Sequence, residues 1–115
     1  MATLALQSIT RAGIGPTYAA ATGGGDACPT GDDVFLHVKN GGGSSITVTL
    51  AIPAGAAPFP QTAITNTVVT VPNAGERMIG PLKSQLYMDP VTGLCAITYS
   101  GVTTVTVGCF SNQEP

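Results

Sequence analysis

The stretch "HVKNGGGSSITVTL", residues 37–50, decides the class of fold. Before its three glycines, "VFLHVKN" places Val34, Leu36 and Val38 on one face and Phe35, His37 and Lys39 on the other. After them, Ile46, Val48 and Leu50 alternate with Thr47 and Thr49. Both runs have the period of two of a half-buried strand, and the second is rich in β-branched residues. A glycine-rich loop cradles phosphate when a helix follows and its free amides converge on the anion. Here a strand follows, and Lys39 precedes the glycines where a P-loop lysine would come after them. Residues 41–43 are therefore expected to turn the chain between two strands.

The same punctuation continues outward. Pro53, Pro58 and Pro60 forbid a ladder in "PAGAAPFPQTA" and leave Phe59 at a loop tip. "TNTVVTVP" reads as a strand, "NAG" as a turn and "ERMIGPL" as another extended segment. "DPVTG" turns into the strand "LCAITYS", and "SGVTT" reads as the turn of a last hairpin into "TVTVGCF". Six or seven short strands with turns every eight to twelve residues predict an all-β domain: a small antiparallel β-sandwich, immunoglobulin-like, or a partly closed barrel. The absence of tryptophan excludes the antibody-type core of Trp against a disulfide. Residues 1–30 are rich in Ala, Gly and Pro and predict an extended N-terminal arm that either hangs free, wraps the domain or reaches a neighbour. The sandwich is expected over 31–111 and a polar tail over 112–115.

With 115 residues there is enough chain for one core. Hydrophobic residues make up 43% and charged residues only 9%, so part of the apolar surface is expected to meet a partner. Four Lys and Arg, scattered at 11, 39, 77 and 83 in a chain of net charge -2, form no basic patch, which argues against nucleic acid and against anionic membranes. The start, "MATLALQSITRAGIGP", lacks the basic residues of a signal peptide, and no apolar run is long enough for a membrane helix. Synthesis in a cytoplasm is the expectation.

Chemistry is scarce. His37 is the only histidine, on the face opposite the apolar one, and is expected to be exposed or at an interface. Asp26, Asp32 and Asp33 gather in "GDACPTGDD" without the order of a calcium loop. Glu76 and Arg77, being adjacent on a strand, point to opposite faces. Cys28, Cys95 and Cys109 have no zinc spacing. If "SGVTT" closes a hairpin, Cys95 faces Cys109, and two thiols or a disulfide both remain open. No catalytic residue, metal or cofactor is expected, and the chain does not read as an enzyme.

The order of motifs carries a resemblance. "FLHVKNGGGSSITVTLAIP", "VTVPNAGERMIGPL" and "ITYSGVTTVTVGCF", with "RAGIGPTYAAA" before them, resemble small head proteins of tailed phages of actinobacteria. The resemblance covers about residues 34–110 and the arm, and its motifs are turns and strands. It implies a capsid decoration or minor capsid protein located on the virion surface. Such a protein binds the major capsid protein and forms homo-oligomers, trimers among them. Ile14, Pro16 and Tyr18 of the arm and Phe59 of the proline loop are the expected contacts with capsid or neighbouring copies. The alternatives are a head-completion, neck or tail protein, or an immunoglobulin-like module of a surface protein. The last of these expects an exported or multidomain chain, against which the start at Met1 counts.

Overall fold

Alternating residues become strands through most of the chain. The computed structural model describes residues 2–52, 66–83, 87–88 and 92–112, so Phe59 lies outside the described residues. The strands are β1 (Ala2–Thr3), β2 (Leu6–Ser8), β3 (Ala19–Ala20), β4 (Asp26–Pro29), β5 (Val34–Asn40), β6 (Ile46–Leu50), β7 (Thr67–Val71), β8 (Gly75–Ile79), β9 (Leu94–Tyr99) and β10 (Val105–Ser111). One sheet has the order β1-β4-β9-β6-β7. The other has the order β2-β10-β5-β8, with β3 also paired to β10.

Those orders define the topology. Apart from β1 and β2, every pairing is antiparallel, and the eight strands from β3 to β10 form two four-stranded layers, 3-10-5-8 and 4-9-6-7. This interleaving is that of a jelly roll, two Greek keys folded over one another. The expected sandwich is present, open at its edges and not closed into a barrel, but its connectivity differs from the immunoglobulin one. Among the described residues, only β6 and β7 are both consecutive and paired. The glycine turn after β5 and the "SGVTT" turn after β9 each carry the chain from one sheet to the other, so the expected final hairpin does not exist.

Between the sheets, alternate residues from both layers meet. Leu36, Val38 and Val107 of one sheet face Val48, Leu50 and Ile97 of the other, all with no exposed surface. Each such side chain contributes about 1.5–3 kcal/mol by leaving water. Cys28 and Cys109 are bonded across the layers with Cα atoms 6.5 Å apart, while Cys95 is a buried free thiol directly opposite Cys28 on the neighbouring strand. The expected opposition of Cys95 and Cys109 fails because β9 and β10 belong to different sheets.

The arm is part of the sandwich. β1 runs parallel to β4 at one sheet edge, Leu4 enters the core, and β2 then runs parallel to β10 at the edge of the other sheet. "DACP", expected in the arm, is β4 and carries half of the disulfide. Pro29 is tolerated because it ends its strand.

The glycines of the opening stretch turn the chain. Gly41 donates to Thr104 O (2.9 Å) and Gly42 to Asn40 Oδ1 (3.0 Å). Asn40, 2% exposed, donates through Nδ2 to Ser44 O and Val71 O. The Gly42 amide is thus used within the turn and the Gly41 amide by the crossing after β9, and a β-carbon on Gly41 would meet Thr104 Cγ2 at 3.0 Å.

Candidate contact groove

Residues 9–17 leave β2 and return to β3 as a loop whose base is closed by one side chain. Gln7 donates through Nε2 to Thr17 O (2.8 Å) and accepts the Thr17 N–H at Oε1 (2.9 Å), as a neighbouring strand would. The Ile9 N–H reaches Ser111 O (2.8 Å), and residues 10–13 close a turn from the Gly13 N–H to Thr10 O (2.9 Å). The turn requires glycine, since Gly13 has φ +86°. A compact loop with adjacent ends is the result.

This loop lies on the outer face of the β10-β5-β8 layer, where alternation places Phe35, His37 and Lys39 of β5 beside Glu76 and Met78 of β8 and Phe110 of β10. Tyr18 anchors it. Its hydroxyl is 2.7 Å from His37 Nδ1, and His37 Nε2 is 2.6 Å from Glu76 Oε1. With one proton on the imidazole, Nε2–H donates to the carboxylate and Nδ1 accepts from the phenol, which satisfies all three groups. The Tyr18 ring packs edge-on against His37 (5.4 Å) and Phe110 (5.7 Å), and Lys39 Nζ lies 3.9 Å from its centroid. That ammonium adds a cation–π attraction. Hydroxyl, imidazole and carboxylate stand in the order of an acyl-transfer triad, but the hydroxyl is a phenol pinned by its ring, so the row serves to hold the arm.

Between loop and sheet runs a groove of about 270 Å³. Ile9, Ile14, Pro16 and Tyr18 form one wall, and Phe35, Phe110 and Met78 form the floor beside His37. Phe35 and Phe110 stack at 5.7 Å, and Met78 stands 68% exposed at the mouth. Three expected contact residues, Ile14, Pro16 and Tyr18, are therefore brought together on one apolar surface. Phe59 cannot be placed against them, lying outside the described residues.

His37, expected to be exposed or at an interface, is 6% exposed, because the arm of the same chain covers it. Glu76 is its partner, and Arg77 Nη1 donates to the Glu76 carbonyl (2.8 Å). The acids of "GDACPTGDD" separate: Asp26 is buried in β4, where it accepts from the Tyr99 hydroxyl (2.7 Å) and the Thr22 N–H (3.3 Å). Burial foremost, then the hydrogen bond and charge of Asp26, push the Tyr99 phenol up. Among the described residues, no group of three or more metal-ligating side chains comes together.

Sequence reasoning missed the floor of the groove. A signal for it exists in the outward positions of β5, which read Phe, His and Lys where a solvated face would read polar throughout. No family model, curated protein or solved structure matches the chain.

Proposed function

We propose that this chain is a virion structural protein, a capsid decoration or cement protein that binds the outer head shell and stabilises it. The observation that carries the proposal is the apolar groove between arm and sheet, on a chain with only 9% charged residues. A surface of that kind is costly to leave in water and suits a protein partner, here the major capsid protein or neighbouring copies in a homo-oligomer. The jelly roll agrees with this without assigning it, since the fold serves viral capsids, lectins and enzymes alike. The resemblance of the strand and turn motifs to small phage head proteins supports the same reading. Ile14, Pro16 and Tyr18 are the proposed contacts, together with Phe59.

Quantitative mass spectrometry of purified virions of the encoding phage tests the reading. A copy number near that of the major capsid protein is expected. A handful of copies per particle would instead place the chain in the neck or tail, and absence from the particle would overturn a virion role. Ile14→Asp with Met78→Asp should lower incorporation at least tenfold in a chain that still folds. Point variants are needed because deletion up to Pro29 would remove four strands and one disulfide cysteine.

A further inference from the structure

We infer that the outer face of the β1-β4-β9-β6-β7 sheet is a self-association surface on which a second copy of this chain packs back to back. The five strands of that sheet contain a single charged residue, Asp26, and it points into the core. Outward stand hydroxyls and methyls in rows. Thr98, Thr49 and Val68 align across β9, β6 and β7. One step along, Thr47 faces Thr70, and Ser100 joins the row through its N–H on Thr47 O (2.9 Å) and its Oγ accepting the Thr47 N–H (2.8 Å). Val68 is 59% exposed.

Three features select a second copy as the occupant. First, Val68, Thr70, Thr98 and Ser100 on this face are exposed, whereas the arm lies against the opposite broad face. Second, a face without charge offers nothing to a charged partner, yet meets its own image without like-charge repulsion, which is what a two-fold interface demands. Third, the array is its own complement: rows about 4.8 Å apart across the strands and about 6.7 Å apart along them recur identically on both copies, and short side chains let such sheets interdigitate.

Area sets the strength. The five strands, two to six residues long, span roughly 350 Å² of sheet plane, which places the contact at the weak, concentration-dependent end of specific interfaces. A back-to-back pair would carry its two arm grooves on opposite outer sides, a bivalent unit able to bridge two sites once local concentration is high. The inference rests on the neutral array and not on the proposed virion role.

Sedimentation equilibrium from micromolar to millimolar chain concentration is the test. The wild-type mass should climb toward twice that of one chain. Thr49→Lys, at the centre of the face, should weaken pairing at least tenfold with an unchanged circular-dichroism spectrum, and Thr98→Lys should do the same if the first variant misfolds. Lys83→Glu, exposed in the segment after β8 and outside both the groove and this sheet, should leave pairing unaltered. A single-chain mass throughout, pairing that survives both lysine variants, or pairing lost through Lys83→Glu would each overturn the inference.

Discussion

Cys28 and Cys109 tie the two sheets together through residues 81 apart in sequence. A cross-link closing so long a loop restricts the unfolded chain and stabilises the fold by about 4 kcal/mol on the chain-entropy account. Replacing both cysteines by alanine should therefore lower the unfolding free energy by about 2–4 kcal/mol in urea titration. Equal midpoints with and without the bridge would show that the packed layers hold without it.

The free thiol opposite them predicts a pH dependence. Burial pushes Cys95 up to about 11 from an ordinary 9.0, and Tyr99 is raised as well. A raised value means that the folded state binds the proton more tightly than the unfolded chain, so stability is full below pH 9 and falls as pH climbs toward 11. Melting temperatures should be flat with respect to these groups up to pH 9 and then decline. Cys95→Val should remove part of that alkaline slope, leaving the part due to Tyr99.

The turn after β5 separates two kinds of glycine. A methyl on Gly41 meets Thr104 Cγ2 at 3.0 Å and Thr104 O at 3.3 Å, whereas nothing lies within 4 Å of one on Gly43. Gly41→Ala should cost about 1–2 kcal/mol, and Gly43→Ala should be neutral within about 0.5 kcal/mol. Asn40→Ala should exceed both at about 2–3 kcal/mol, since it leaves Val71 O and the Gly42 N–H without their partner. Chemical denaturation of the three variants gives the order directly.

Release of the arm can be read at Arg11, an exposed residue of its loop. Tyr18→Ala removes the anchor on His37, and Gln7→Ala removes the clasp on Thr17. Both should raise the rate of tryptic cleavage after Arg11 several-fold with little change in global melting. Unchanged cleavage would mean that backbone pairing of β2 and β3 holds the loop unaided.

Local pattern carried much of this fold. Val34, Leu36 and Val38 are the inward face of β5, and Ile46, Val48 and Leu50 that of β6, as alternation requires. Pairing was the hidden part, because a Gly and Thr turn looks the same whether it closes a hairpin or crosses between layers. That ambiguity put Cys95 opposite Cys109 when Cys28 is the true partner. "DACP" was hidden by Gly23, Gly24, Gly25 and Pro29, which flank the strand without entering its middle. In the groove, Ile14, Pro16 and Tyr18 were legible as the large apolar residues of a low-charge arm rich in Ala, Gly and Pro. Burial of His37 was not, since it depends on a residue nineteen positions away folding back over β5.

β10 is the partner of β2, β3 and β5 at once, although β2 emerges from the ribosome about a hundred residues before it. During synthesis the N-terminal segments must therefore wait, unpaired, for a late strand to arrive. The fold is consequently all or nothing along the direction of translation: a nascent chain stopped short of Val105 lacks the strand that organises one whole layer. Its apolar faces would then be left for chaperones or proteases to find.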